Sequence, residues 1–307
     1  MRKIFQQFVP GTFNPPEQLP STDAEAKDWQ EANRSFWESN PMRYDWGQKI
    51  GGEEFSEAFY KEIDKRAFAT VWESMPWKRL PFDALIDFDL LPSQKVLEIG
   101  VGMGSHAQLL AGHAGSYTGI DLTNYAAKAT SERLRLFELP GDIRQMDAEH
   151  LSFSEASFDF IWSWGVIHCS SDIRRVLREM QRVLKTGGKA VVMVYHRGWW
   201  NYYICGGLLH GLLLGGLFKT GSLAKTVQFT TDGALARYYT VNTWRNLAQE
   251  YFEVEDILIT GLKTDVFPMP AGRLKNALMA AVPDGVTRFL TNQCKMGCFL
   301  VSKLVKK

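Results

Sequence analysis

The sequence lacks a surplus of either charge, a cysteine scaffold and any long apolar run. Lys and Arg number 35 against 34 Asp and Glu, a formal net charge of +1. A chain without a basic excess has little with which to neutralise a phosphate backbone, so nucleic acid is not an expected partner. Four cysteines in 307 residues, Cys169, Cys205, Cys294 and Cys298, are too few for a disulfide framework. Cys294 and Cys298 stand four apart and on a helix would share a face. No His or Cys pair completes a metal set beside them, so they read as small buried apolar residues and no metal is expected. No apolar stretch has the length of a transmembrane helix. The nearest, Ile204 to Phe218, is too short and carries five glycines and a histidine. Met1-Arg2-Lys3 is not followed by an apolar core of signal-peptide length, so a cytoplasmic protein is expected. No internal repeat is evident.

What is present concentrates in one stretch. The short run Lys95-Val96-Leu97 leads into Glu98-Ile99-Gly100-Val101-Gly102-Met103-Gly104, and a second run ends in an acid at Gly119-Ile120-Asp121. Strand, glycine-rich turn, helix, strand and carboxylate form the front half of a nucleotide-binding βαβ unit. Glycines let the backbone approach a ligand where a Cβ would collide. Asp121 stands where a carboxylate accepts hydrogen bonds from ribose hydroxyls. In the dinucleotide pattern G-x-G-x-x-G the third glycine would fall at Ser105; here it comes one residue early, at Gly104. Glu98, two residues before the first glycine, would repel a pyrophosphate and suits a ligand that carries an ammonium group. A nicotinamide-dependent oxidoreductase is therefore disfavoured.

An acid, G-x-G-x-G, then an acid after the next strand resembles motif I of class I S-adenosylmethionine (SAM)-dependent methyltransferases. Three further elements follow in the family's order. A helix is expected over Tyr125 to Phe137, and Ile143-Arg144-Gln145-Met146-Asp147-Ala148 reads as a third strand ending in an acid. Phe158 to Ser163 reads as a fourth strand leading into Trp164-Gly165-Val166-Ile167-His168. A charged helix over Ile173 to Leu184, with Gly187 as its C-cap, precedes a fifth strand over Lys189 to Tyr195. The phrase L-K-T-G-G-K-A-V-V resembles the family's post-helix element. The likeness covers roughly residues 90–196 and points to the small-molecule branch that includes ubiquinone and menaquinone biosynthesis methyltransferases. It implies SAM as cofactor and S-adenosylhomocysteine as product. It also implies cofactor contacts from Glu98, Gly100, Gly102, Gly104, Asp121, Leu122, Asp147, Ala148 and Trp164, with Asp147 at the adenine amino group and the next backbone N–H at the ring. The implied fold is α/β, a Rossmann-like doubly wound sheet of about seven strands whose last strand is antiparallel. A SAM-binding regulatory or assembly protein of the same fold is the alternative.

The flanks resemble the family least and carry the acceptor question. Residues 1–23, with Pro10, Pro15, Pro16 and Pro20, read as an extended or disordered arm. Residues 24–80 read as an aromatic helical lid, broken at Asn40-Pro41. The core runs over 81–198, a cap over 199–241, and the rest of the sheet with a helical insertion over 242–307. The glycine-leucine stretch at 204–218 reads as a buried hairpin, an apolar tunnel wall or a segment in contact with a membrane surface. Ligands of open α/β sheets sit outside the carboxyl ends of the strands. Tyr44, Trp46, Tyr195, Trp199, Tyr203, Arg237 and Tyr239 are therefore the candidate contacts for a small, aromatic or lipid-like acceptor. His168 and His196, after strands four and five, are the candidate bases, since imidazole titrates near neutral pH.

Overall fold

A computed structural model describes residues 18–45, 49–229, 231, 233–267 and 272–307. Its centre is an eight-stranded sheet in the order β3-β2-β1-β4-β5-β8-β7, with the two-residue β6 (Tyr238–Tyr239) beside β5. The strands are β1 (Lys95–Ile99), β2 (Ser116–Asp121), β3 (Asp142–Gln145), β4 (Phe158–Trp164), β5 (Leu184–His196), β7 (Glu253–Thr260) and β8 (Phe299–Val305). All pairings are parallel except those of β8, which runs antiparallel to both β5 and β7. This is the doubly wound α/β sheet expected from the sequence.

Two apolar layers hold the sheet, because strands buried on both faces cannot alternate with polar residues. One layer contains Leu97, Ile99, Ile161 and Val192 with the helix α5 (Ile173–Val183). That helix buries Ile173, Val176, Leu177, Met180 and Val183, one face at helical spacing. Its N-cap Asp172 accepts from Arg174 N and Arg175 N. The other layer contains Val96, Leu110, Phe160 and the wholly buried Trp162 with Phe82 and Leu91.

The crossovers follow the reading in most places. Helices α3 (Ser105–Ala111) and α4 (Asn124–Leu136) connect β1 to β2 and β2 to β3. Helix α8 (Val241–Gln249) starts at Thr240, whose side chain accepts from Thr243 N in a reciprocal cap. Gly187 is a correction. The chain is already extended at Leu184, and Gly187, at φ 74, sits in the irregular stretch where β4–β5 pairing jumps from Phe158↔Leu184 to Phe160↔Lys189. Cys298 is another: it precedes β8 in a loop, so it shares no helix face with Cys294.

Two helices cross the carboxyl ends of the strands. Helix α1 (Asp23–Ser39) ends at the Asn40 cap, as the following proline requires, and α2 (Glu57–Ser74) follows. After β5 comes a π-helical segment, Trp199–Leu213, then α6 (Gly216–Thr220) and α7 (Leu223–Gln228). Between α8 and β8 lie α9 (Lys263–Val266), α10 (Arg273–Ala281), α11 (Asp284–Arg288) and a second π-helical turn, Phe289–Gln293. No helix among the described residues is long and apolar enough to cross a membrane.

Candidate functional site

A cavity of about 310 Å³ opens at the carboxyl ends of β1, β2 and β4, under α1 and α2. Its floor is the glycine turn after β1. Gly100, Gly102 and Gly104 all have positive φ, at 84°, 52° and 79°. A Cβ on Gly100 would lie 2.2 Å from Val166 Cγ2, so this glycine serves packing of the turn against the loop after β4. A Cβ on Gly102 would meet nothing within 4 Å, so this glycine faces open space at the cavity.

Asp121 ends β2 at the cavity rim. Its Oδ1 accepts from Thr123 N at 2.9 Å and Thr123 Oγ1 at 2.8 Å, and Oδ2 accepts from Gly102 N at 3.1 Å. These bonds fix the carboxylate plane and leave lone pairs for a ligand. Burial raises its pKa against the pull of those donors. Gly100, Gly102, Gly104, Leu122, Ala148, Trp164, Tyr44 and Tyr195 also line the cavity. Trp164 is stacked on Trp162, its neighbour two residues back on the same strand face, with centroids 5.3 Å apart.

The remaining candidates sit elsewhere. Trp46 lies outside the described residues. Glu98 is buried behind the turn and accepts from Tyr117 Oη at 2.6 Å, with His106 Nδ1 3.9 Å away. Asp147 Oδ1 accepts from Gln30 Nε2 at 2.8 Å and from Glu149 N, so its neighbours Met146 and Ala148 face the cavity and its own carboxylate meets α1. His168 is wholly buried one ring behind the wall, 4.0 Å from the Tyr195 ring, and burial holds its pKa down to about 3. His196 is buried, with Nδ1 2.8 Å from Gly297 O. Arg237 donates to the carbonyls of Ser170, Ser171 and Gln18, because a buried guanidinium needs acceptors and the loop after β4 supplies them. Tyr239 packs edge-on to Trp244, while Trp199 and Tyr203 are on the exposed side of their segment.

Several cavity residues were not found in the sequence. Gln30, Asn33 and Trp37 line it from α1. Gln30 also accepts from Ser171 N, and Asn33 donates to Cys169 O, so α1 is fastened to the loop after β4. Their i, i+3, i+7 spacing is the signal that could have found them. At the end of α1, Glu38 accepts from Asn124 N and Tyr125 N at the start of α4. His106 lines the cavity from α3; Trp162 Nε1 donates to its Nδ1 at 3.3 Å, which leaves the proton on Nε2. Burial drives its pKa down to about 4, so the ring is neutral.

Glu98 gives a pH test. Burial lifts its carboxyl from an ordinary 4.5 to about 8, with the nearby Asp121 charge adding and the Tyr117 bond and Arg133 opposing. The folded state holds this proton after the unfolded chain has released it, so its contribution to stability is full below about pH 4.5 and is lost as pH rises through about 8. Glu98→Gln keeps an acceptor for Tyr117 and should remove that loss. Denaturant unfolding should show variant and parent converging near pH 4.5 and the variant ahead above pH 8. A constant difference across that window would contradict the assignment.

Comparison with known proteins agrees with this geometry. Residues 97–192 match a family model described as a methyltransferase domain. A phthiotriol/phenolphthiotriol dimycocerosates methyltransferase of Mycobacterium tuberculosis is 41% identical over 101 residues, 32% of this chain and 36% of that protein. A phosphatidylethanolamine N-methyltransferase of Cereibacter sphaeroides is 33% identical over 101 residues, 32% of this chain and 49% of that protein. The matches thus span about a third to a half of these relatives' length. Among solved structures, the (4+2)-cyclase SpnF aligns over 90% of this chain and 95% of its own with a TM-score of 0.51 at 14% identity, a likeness of fold alone. Residues 97–192 are therefore similar to a methyltransferase domain, and the segments on either side lie outside that match.

Proposed function

We propose that the chain is a SAM-dependent methyltransferase that acts on a small, lipid-like acceptor through oxygen, carbon or nitrogen. The observation that carries this reading is the pairing of Asp121 with a glycine turn whose Gly102 faces open space at the cavity. That set fits SAM: Asp121 would hold the ribose hydroxyls, the Gly100–Gly104 turn would lie against the amino-acid part, and Met146 and Ala148 would flank the adenine. Bound there, SAM supplies a methyl group made electrophilic by the sulfonium.

The residues of this chain then have three tasks. They align the acceptor, exclude water and manage its proton. Trp37, Tyr44, Trp164, Tyr195 and Phe299 give the cavity an aromatic wall suited to an apolar or cyclic acceptor. Tyr44 is held at φ 56, a strained conformation for a bulky residue, and its phenol is pushed up to about 12. It stays protonated and can donate a hydrogen bond to an acceptor oxygen. The names of the relatives, which specify a phthiotriol-type lipid and phosphatidylethanolamine, support a lipid-like acceptor. The aromatic wall also suits a quinone-like ring, the narrower resemblance noted above.

Neither His168 nor His196 reaches the cavity wall, so we place both as positioning residues, His168 acting through Tyr195. His168→Ala should lower turnover and leave SAM affinity and the pH profile in place. A lost alkaline or acid limb in that variant would make His168 a base instead. Asp121→Ala should weaken SAM binding roughly 10- to 150-fold, the equivalent of about 1.5–3 kcal/mol for hydrogen bonds at a charged group. Unchanged affinity would remove the ribose assignment. The function itself is tested by transfer of labelled methyl from SAM to a panel of lipid, quinol and phenolic acceptors. Binding of SAM without transfer to any of them would favour a regulatory protein of the same fold.

A further inference from the structure

The hairpin formed by the Trp199–Leu213 segment with α6 and α7 is packed inside out. Its small residues are within. Gly206 and Gly211 are buried, and a Cβ on Gly206 would lie 2.5 Å from Val227 Cγ2, one on Gly211 3.0 Å from Leu217 Cγ. Five of its large apolar residues are outside. Leu208 is 45% exposed, Leu212 53%, Leu213 71%, Leu214 62% and Phe218 84%. A hairpin that folds in water buries its leucines, whereas close glycine packing with leucines outward is the pattern of helices whose solvent is lipid.

The charges agree with that solvent. From Trp199 to Phe229 the chain has Lys219 and Lys225 and no acidic residue. Behind the apolar tip stand the half-exposed Trp199 and Tyr203, with the Arg197 guanidinium over the Tyr202 and Tyr203 rings at 4.6 and 5.6 Å. Leucines and Phe at the tip, then Trp, Tyr and a cation at the base, is the order of groups met on leaving a bilayer core for its headgroups. A second copy of the chain is a poorer occupant, because its hairpin would bring lysines to lysines with no acid between them.

We propose that this hairpin is a membrane-docking element that inserts Leu212, Leu213, Leu214 and Phe218 into one leaflet of a bilayer bearing anionic headgroups. The base of the hairpin adjoins the cavity: Tyr202 packs on Tyr238 and Tyr238 on the cavity-lining Tyr195, with centroids 5.4 and 5.2 Å apart. Docking therefore brings the cavity to the surface where lipid-like molecules reside, although the docking claim does not depend on methyl transfer.

The test is co-flotation of the full chain with vesicles of phosphatidylcholine alone and of phosphatidylcholine with phosphatidylglycerol, without SAM or acceptor. The expected result is binding to the anionic vesicles, weakened about tenfold or more by the double variant Leu213→Glu, Phe218→Glu and weakened by added salt. Lys219→Gln should reduce binding to the anionic vesicles more than to the neutral ones. Both mutated apolar side chains are exposed, and titration of the double variant with S-adenosylhomocysteine checks that its fold and cofactor site are intact. Parent protein that stays in solution with anionic vesicles, or a double variant that binds as the parent does, would overturn the proposal. So would a concentration-dependent dimer in sedimentation that the double variant abolishes, which would assign the tip to a second copy.

Discussion

Gly102→Val is expected to abolish measurable binding of SAM and S-adenosylhomocysteine, a loss of at least about 100-fold, in a protein that still folds. Two neighbouring glycines behave differently here. Gly100 and Gly102 both need positive φ, but an added side chain at Gly100 strikes Val166, whereas at Gly102 it projects into vacant space at the cavity. The stability cost at Gly102 is therefore confined to a strained backbone conformation, roughly 1–2 kcal/mol. The loss of affinity comes from a branched side chain standing where the ligand must lie. Calorimetry and thermal unfolding on the same sample separate the two effects. Gly102→Val that binds SAM normally would mean that the ligand lies elsewhere.

Arg133→Met is expected to destabilise the fold by about 3–5 kcal/mol, the range for removing one partner of a buried ion pair. Arg133 is wholly buried, although its residue type is usually found at the surface. Its guanidinium pairs with Asp64 of α2, donates to Met103 O at 3.0 Å and to Gln108 Oε1 at 2.7 Å, and lies over the Tyr60 ring. One side chain from α4 thereby fastens the glycine turn to α2. The substitution leaves Met103 O without this donor and Asp64 without its cation. Asp64→Leu in the same chain should recover part of the loss, because it removes the stranded carboxylate. Denaturant unfolding of the two single variants and the double variant gives the coupling. Additive losses would show that the pair does not act as a unit.

The sheet and the glycine turn were legible in the sequence because local rules govern them. Gly100 and Gly102 announce a turn with close backbone approach, and the apolar runs announce buried strands. The lid was legible only as aromatic helices. Its aromatic residues attracted attention, while the side chains that fasten it are Gln30, Asn33 and Glu38, polar residues that any exposed helix could carry. Arg133 is hidden for the same reason: nothing in R-L-R-L distinguishes the arginine that is buried from Arg135, which is exposed. The carboxyl-end rule put Tyr195 and His168 at one rim, but Tyr195 lines the cavity and His168 stands behind it, a difference that depends on packing with Arg237 and β6, 40 or more residues away. The hairpin could be read three ways because glycine and leucine content does not say which of the two points outward. The structure has Leu213 and Phe218 outward.

Calorimetric titration of the purified chain with SAM and with S-adenosylhomocysteine tests the central claim most directly. Both are expected to bind one-to-one in the micromolar range, and Asp121→Ala to weaken them. No heat with either ligand, from protein shown to be folded, would contradict the assignment of the cavity and with it the proposed activity.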